Sequence, residues 1–415
     1  MTDATDATAP FGADGTARRD NGTFRSLRTA NARRFFAGLL VSNVGSWMQL
    51  TATSFLLYDL TGSATSLGIN TAMQFVPMLV LGAWAGALSD RVDRLRLTIA
   101  AQSALAAQAL ALGVVVVVGW ATVPVIYALS AVLGIVGAID NPARRSLVTE
   151  LVPPQHIVNA VALNTAVMTG SRVIGPALAA ALVGPLGAGW LFVANGVSYS
   201  AMLVGLVRIR RTDMFTHPPR PAGGKPVREA LVFLRDRQPM FAMFTVFALV
   251  STFAFNYSVS LPKLADTRWG SPEAFGWVLA ITSLGSMLGA LALGRRSRVT
   301  YRFIAGGVMV LGATNIGLSW APSMWVAFAW ALPLGASGAM LISGSNAVIQ
   351  HETPPEMRGR MMALAAVAFL GSAPIGGPIT GWIADVVSPE WSMAYGGFIA
   401  LVSGAWLWRR TERGA

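Results

Sequence analysis

Long apolar blocks alternate with short polar segments along most of this chain. Each block is close to the length of about 20 residues that an α-helix needs to cross a bilayer. Twelve such segments lie near 35–58, 65–88, 97–119, 122–140, 158–183, 187–207, 239–262, 272–293, 303–320, 324–346, 361–384 and 391–408. The pattern predicts an all-α membrane protein with twelve transmembrane helices.

The longest polar stretch, from Arg208 to Gln238, separates six of these segments from the other six. The expected division is a disordered cytoplasmic tail at 1–30, an N-terminal six-helix bundle at 31–207, a cytoplasmic linker at 208–238, a C-terminal six-helix bundle at 239–408 and a cytoplasmic tail at 409–415. Within the linker, one helical face is shared by Val227, Ala230, Leu231 and Leu234. This face predicts a short helix at the membrane surface.

Two short motifs recur at equivalent places of the two predicted bundles. Gly62-Ser63 follows the first segment and Gly270-Ser271 follows the seventh, each with a further glycine five residues after its serine. In addition, Glu150 before the fifth segment and Glu352 before the eleventh each precede a Pro-Pro pair. These repeats predict two pseudo-symmetric halves that arose by duplication, an arrangement typical of secondary transporters.

The charged residues fit a membrane protein and give it an orientation. They make up only 12% of the chain, against about 25% of an average soluble domain. With the N-terminus inside the cell, nearly all Lys and Arg fall in cytoplasmic segments, and only Lys263 and Arg268 lie outside. This bias predicts a multi-pass protein of the cell membrane with both termini cytoplasmic. It also explains the net charge of +12 without a nucleic-acid partner.

The composition excludes several kinds of chemistry. Because the chain has no cysteine, disulfides, thiolate metal sites and cysteine nucleophiles are excluded. The three histidines, His156, His217 and His351, all fall in predicted loops, so we expect no metal centre. The chain has no phosphate-binding Gly-x-x-x-x-Gly-Lys-Ser/Thr motif, which disfavours an ATP-driven pump. We therefore expect neither a catalytic site nor a cofactor.

A basic motif follows the second predicted span. From Gly86 to Arg94 it reads Gly-Ala-Leu-Ser-Asp-Arg-Val-Asp-Arg, and it resembles the loop signature of the major facilitator superfamily. Asp93 stands where that family usually has glycine. The resemblance implies the major facilitator fold and alternating access around a central cavity.

The same resemblance implies a conformational latch at this loop. Glycine permits close helix approach, and the aspartate can accept hydrogen bonds from a neighbouring helix or lie at its N-terminus. Asp140 and Arg144, at the end of the fourth predicted span, are expected to lie close to the motif and can join the latch. The predicted latch consists of Gly86, Asp90, Arg91, Arg94, Asp140 and Arg144. Alternatively, the arginines of the loop only set the orientation of the chain.

A Gly-Pro pair lies in the fifth predicted span. Gly175-Pro176 and the small residues around it resemble the signature of the antiporter branch of the superfamily. The chain as a whole most resembles the branch of the enterobactin exporter and the transmembrane secretion effectors. This resemblance implies export, although a proline in a helix can also be an ordinary packing kink.

Polar and aromatic residues within the predicted spans are candidates for a cargo cavity. The candidates are Asn43, Trp47, Gln49, Asn70, Gln74, Asn164, Arg172, Phe253, Asn256 and Tyr257. Asparagine and glutamine also bond helices to one another within membranes, so each residue has this structural alternative. Arg172 is the one charged residue within a span, and such a residue suggests function. It either faces the cavity and attracts an anionic or carbonyl-rich group, or braces neighbouring helices.

Function is expected to be the export of a small organic molecule, such as a drug, siderophore or secondary metabolite. Protons as the coupling ion are implied by the resemblance alone. Asp59, Asp140 and Asp385 lie near span ends, where capping is the ordinary role, so no titrating group stands out. The alternatives are an importer of the same fold, or a membrane enzyme or sensor. The expected partners are the cargo, protons as the coupling ion and the lipid bilayer. The protein is expected to act as a monomer.

Overall fold

The computed structural model describes residues 24–215, 226–296 and 298–412, and these ranges are almost entirely helical. In chain order the helices are α1 (Ala30–Thr61), α2 (Ala64–Arg91), α3 (Arg94–Val117), α4 (Val123–Glu150), α5 (Ile157–Leu186), α6 (Ala188–Val207), α7 (Pro226–Arg235), α8 (Gln238–Phe253), α9 (Tyr257–Trp269), α10 (Ala274–Gly294), α11 (Tyr301–Ser319), α12 (Met324–Glu352), α13 (Pro355–Leu370), α14 (Ala373–Val386) and α15 (Pro389–Glu412). The predicted all-α class is confirmed. Most of the predicted N-terminal tail lies outside the described residues.

The number of transmembrane spans remains a prediction. Among the described residues, nine stretches are long and apolar enough to cross a membrane, with α13 and α14 counted as one. The bent pair α8 and α9 would make ten. The first and last predicted spans correspond to α1 and α15, which do not meet this criterion. In α1 the reason is a row of buried polar side chains that includes Asn43, Gln49 and Thr53.

Two of the predicted spans are broken rather than continuous. The first break lies at 254–256, where α8 and α9 meet at an angle of 42°. The carbonyl that this break frees on Ala254 accepts a hydrogen bond of 3.2 Å from the side-chain amide of Asn315. The second break, at Gly371 and Ser372, separates α13 from α14. Hydropathy did not predict these breaks because the apolar character continues through them.

The repeated Gly-Ser motif has a physical basis in the structure. Gly62 ends α1 with a φ of 60°, and Gly270 ends α9 with a φ of 59°. This left-handed conformation is costly for residues with a Cβ, so glycine is required at both helix ends. The serine after Gly62 caps α2, since its side chain accepts a hydrogen bond from the backbone N–H of Ser66.

The helices pack as two groups with matching neighbours. We call α1–α6 the N-half and α8–α15 the C-half. Helices α2 and α4 of the N-half touch at Gly134, where a Cβ would collide with the carbonyl of Gln74. Helices α10 and α12 of the C-half touch in the same way at Gly335, against the carbonyl of Thr282. This correspondence fits the predicted duplication, while the domain boundaries given above stay a prediction.

The close contacts between the two halves lie toward one end of the molecule. Helix α2 packs on α14 where Gly68 faces Gly377, and α5 packs on α10 where Pro176 faces Gly276. These contacts involve the start of α2 and the end of α5, which the charge bias assigns to the extracellular side. The hydrogen bond from Tyr58 to Asp266 and those from residues 63–65 to Asp385 cross between the halves at this same end. We call it the outer end.

A helix, α7, is present where the linker was predicted to form one, while its place at the membrane surface stays a prediction. Ala230 and Leu234 are buried, and Glu229 forms an ion pair of 2.9 Å with Arg360 of α13. Leu231, which we expected on the same face as Ala230, is 51% exposed. The side chain of Val227 lies outside the described residues. Helix α7 therefore docks on the C-half through a narrower face than the sequence predicts.

Candidate functional site

Arg172 lies on the face of α5 that looks toward the other half. One turn further along this face, Pro176 contacts Gly276 of α10. Ile174 and Leu178, on the other side of α5, are exposed in the positions expected to face lipid. Arg172 itself is exposed although it lies mid-helix. That Arg172 faces a cavity between the halves stays a prediction.

Trp47 of α1 is the neighbour of Arg172. The guanidinium carbon of Arg172 lies 4.8 Å from the centroid of the Trp47 ring. A cation over an indole face is attracted by the ring quadrupole, so this contact holds the guanidinium in place. The guanidinium N–H groups of Arg172 have no hydrogen-bond partner among the described residues. The two residues together form a positive and aromatic surface.

Gly175 is what lets α1 and α5 approach this closely. A Cβ at Gly175 would lie 2.4 Å from the Cβ of Trp47 and 2.9 Å from the backbone nitrogen of Met48. Pro176 is buried and carries the carbonyl that faces Gly276 of the C-half. The Gly-Pro pair thus joins α5 to α1 on one side and to α10 on the other.

Gln49 lies inside the N-half. Its carbonyl accepts a hydrogen bond of 2.6 Å from Asn195 of α6, and its amide donates one of 3.1 Å to Gln108 of α3. Gln108 in turn donates to the backbone carbonyl of Leu129 in α4. This buried chain bonds four helices, so the structure favours the packing alternative for Gln49.

Three other candidates have polar atoms that lack a partner among the described residues. They are Nδ2 of Asn43, Oδ1 of Asn70 and the hydroxyl of Tyr257. Buried polar groups normally have hydrogen-bond partners, so such groups call for a water or a bound molecule. Tyr257 is the first residue of α9, directly after the helix break.

The remaining candidates are scattered over both halves. Asn256 is 8% exposed and donates to the carbonyl of Thr252, beneath Gly376 of α14. Phe253 packs edge-on against Tyr395, with ring centroids 6.0 Å apart. Gln74 and Asn164 are half-buried. The structure brings Arg172 and Trp47 together but shows no contact that joins these four residues to them.

The predicted latch residues lie toward the other end of the molecule. A Cβ at Gly86 would meet nothing within 4 Å, so the close helix approach expected there is absent from this conformation. Arg91 is exposed. The side chain of Asp90 lies outside the described residues, so its latch role stays a prediction.

The other latch candidates form ion pairs within the N-half. Arg94 pairs with Glu150 at the end of α4. Arg144 lies 3.1 Å from Asp140, whose carboxylate also accepts a hydrogen bond of 2.7 Å from Gln102 of α3. Asp140 is 4% exposed. In this conformation these groups bond α3 to α4 and make no contact with the C-half among the described residues.

Asp93, the departure from the family signature, caps α3. Its carboxylate accepts a hydrogen bond of 2.9 Å from the backbone N–H of Arg96 and pairs with Arg211 at 2.6 Å. Burial works against the charged form, but these two interactions outweigh it and hold the pKa of Asp93 below its usual value. The carboxylate therefore stabilises the fold above its unfolded pKa, and this contribution is lost as the pH falls through the lower, folded pKa.

We expect Asp93→Ala to lower the free energy of unfolding by about 1 kcal/mol, because the first turn of α3 loses its cap. Asp93→Asn is the matched control, since asparagine caps helices as well as aspartate does but cannot pair with Arg211. The apparent melting temperature of the purified variants measures the difference. Equal melting temperatures for Asp93→Ala and wild type would show that the cap contributes nothing.

The comparisons with known proteins agree with this architecture. Residues 21–412 match the family model described as transmembrane secretion effector. The macrolide efflux protein A of Streptococcus pyogenes is 24% identical over 376 residues, which cover 89% of this chain and 93% of that protein. The enterobactin exporter EntS of Escherichia coli is 23% identical over 385 residues, or 90% of each chain.

A solved structure shares the fold. The crystal structure of a bacterial homologue of the human lysosomal transporter Spinster, in an inward-facing and unoccupied conformation, superposes with a TM-score of 0.73. The match covers 92% of this chain and 97% of that one at 15% sequence identity. At this level of identity the likeness shows the fold alone.

Proposed function

Because the chain belongs to the transmembrane secretion effector family of major facilitator transporters, we propose that it exports a small organic molecule by alternating access. Membership of this family makes it a membrane transporter and not an enzyme. The observation that supports the proposal is that, among the described residues, the close contacts between the halves run from the outer end only as far as Leu79, midway along α2. We propose that beyond them a space beside Arg172 opens toward the opposite end. A conformation of this kind takes up cargo from the cytoplasm, given the predicted orientation.

The cargo is proposed to carry an anionic or carbonyl-rich group together with apolar or aromatic surface. Arg172 offers charge and a planar fork of donors, and Trp47 offers an aromatic face. The unpartnered atoms of Asn43, Asn70 and Tyr257 would supply further donors and acceptors. The names of the relatives, which are a macrolide efflux protein and an enterobactin exporter, support a drug, siderophore or secondary metabolite.

The proton gradient is the proposed energy source. The resemblance of Gly175-Pro176 to the antiporter signature supports exchange of cargo for protons. The protein is further proposed to act as a monomer in the cell membrane, with both termini in the cytoplasm. The strong bias of Arg and Lys toward one side supports this orientation.

Transport into inside-out membrane vesicles tests the proposal. Erythromycin and iron-free enterobactin serve as probes, with an imposed proton gradient and with vesicles that lack the protein as the control. We expect uptake of at least one probe that requires the protein and ceases when a protonophore removes the gradient. Uptake that occurs only in right-side-out vesicles would show an importer. Export that continues in the presence of the protonophore would reject proton antiport but not the export function.

A further inference from the structure

A polar cluster joins the two halves at the outer end. Asp385, one residue before the end of α14, accepts hydrogen bonds of 2.9 Å from the backbone N–H groups of both Ala64 and Thr65 at the start of α2. It also accepts one of 2.6 Å from the hydroxyl of Ser63. Lys263 of α9 lies 2.6 Å from the same carboxylate. We call these five residues the outer cluster.

The carboxylate of the C-half completes the first turn of a helix in the N-half. The first N–H groups of a helix have no partner within it, and a negative charge beside them is favourable. Ser63 caps α2 through the N–H of Ser66, which leaves the N–H groups of Ala64 and Thr65 for another acceptor. Asp385 fills this role across the boundary between the halves. Such charge-assisted hydrogen bonds are stronger than neutral ones.

The surrounding contacts limit the access of water and bring the backbones close. The side chains of Asp385 and Lys263 are only 20% and 19% exposed. A Cβ at Gly381, one turn before Asp385, would lie 2.4 Å from the carbonyl of Ala64, so α14 and α2 touch there directly. Lys263 belongs to the C-half and balances the charge of Asp385 whether or not the halves are in contact. Within the outer cluster, the bonds to residues 63–65 are therefore the ones that parting of the halves must break.

The outer cluster is the counterpart of the predicted latch at the opposite end. Asp90 lies one residue before the end of α2, where it is predicted to accept hydrogen bonds from a neighbouring helix or to lie at its N-terminus. Asp385 lies one residue before the end of α14 and bonds the start of α2. In the structure the bonds from Asp385 to α2 are formed, whereas a Cβ at Gly86, one turn before Asp90, would meet nothing within 4 Å.

We infer that Asp385 is the latch of the outer end, which holds the transporter inward-facing by capping α2 across the halves. Its release is required for the halves to part on the extracellular side. This inference rests on the alternating access proposed above. The test of this inference measures the equilibrium between the inward-facing and outward-facing conformations in the absence of cargo. It can therefore be carried out even if the export assay fails.

Distance measurements between spin labels test this role. The native chain has no cysteine, so Leu186→Cys at the end of α5 and Trp325→Cys at the start of α12 place one label on each half at the outer end. The full-length protein is purified and placed in lipid nanodiscs. We expect Asp385→Asn to raise the ratio of outward-facing to inward-facing molecules about tenfold, because the amide carries no charge for the start of α2.

Glu390→Gln is the matched control. Glu390 is also an acid at the outer end, but its partner Arg268, at 3.3 Å, belongs to the same half. We expect the distance distribution of this variant to equal that of wild type. An equal shift in both variants would mean that any lost acid at this end loosens the protein, and the latch would be rejected.

A second variant removes a donor instead of the acceptor. Ala64→Pro deletes one N–H that Asp385 accepts, at the first helical position, where proline is favoured. Ser63, the preceding residue, already has the extended conformation that a following proline requires, with φ −117° and ψ 122°. We expect a shift in the same direction as for Asp385→Asn. Wild-type distances in whichever of the two variants is monodisperse would overturn the inference.

Discussion

Replacing Arg172 by alanine is expected to lower the affinity for cargo about ten- to a hundredfold. The guanidinium beside Trp47 can give an anionic or carbonyl-rich cargo a charge-assisted hydrogen bond, worth about 1.5–3 kcal/mol. Arg172→Lys is expected to weaken binding less, because lysine keeps the charge but loses the planar fork of donors. Equilibrium binding to purified, monodisperse variants measures both effects.

Arg295→Ala is the control for this experiment. Arg295 is an exposed arginine just after α10, and its removal is expected to leave binding unchanged. If Arg172 braces helices instead, Arg172→Ala will reduce the amount of folded protein, and the surviving protein will bind cargo normally. Normal affinity of the alanine variant would therefore remove Arg172 from the proposed cargo site.

Gly175→Leu is expected to abolish folded protein in the membrane. A side chain at this position meets the Cβ of Trp47 and the backbone of α1, neither of which can move without separating α1 from α5. Overpacking a tight contact costs about 1–3 kcal/mol, and a large side chain against backbone exceeds this range. Fluorescence-detected size exclusion of a tagged protein measures the folded fraction.

Gly170 provides a matched control on the same helix. A Cβ at Gly170 would meet nothing within 4 Å, so Gly170→Leu is expected to leave the folded fraction near that of wild type. Folded Gly175→Leu at wild-type abundance would contradict the α1–α5 contact. The same loss in both variants would show that α5 tolerates leucine at neither position, whatever its neighbours.

Much of the fold could be predicted from the sequence because a bilayer restricts what an apolar segment can do. Long apolar blocks without internal charge must form helices there, so the class and the order of the spans follow from hydropathy. The breaks after Phe253 and at Gly371 could not be predicted in this way. They depend on which polar group meets the freed carbonyls, as Asn315 does at Ala254, and that partner comes from a distant part of the chain.

The site was harder to predict, since periodicity gives the face of a helix but not its neighbour. Gln49 lies only two residues from Trp47, yet it points into the N-half and bonds Gln108 and Asn195. For Asp385 the sequence indicated capping, and the structure assigns that cap to α2 of the other half. Only the packing of the two halves determines such partners.

The claim that the space between the halves is a water-filled path open to the cytoplasm can be tested most directly with one introduced cysteine. Thr165 is exposed on the same face of α5 as Arg172, two turns nearer the predicted cytoplasmic end. Leu178→Cys, on the face expected to contact lipid, is the control. We expect an impermeant maleimide to label Thr165→Cys in inside-out vesicles but not in intact cells, and to leave Leu178→Cys unlabelled in both. A Thr165→Cys variant that stays unlabelled in inside-out vesicles, or is labelled from outside, would contradict this path.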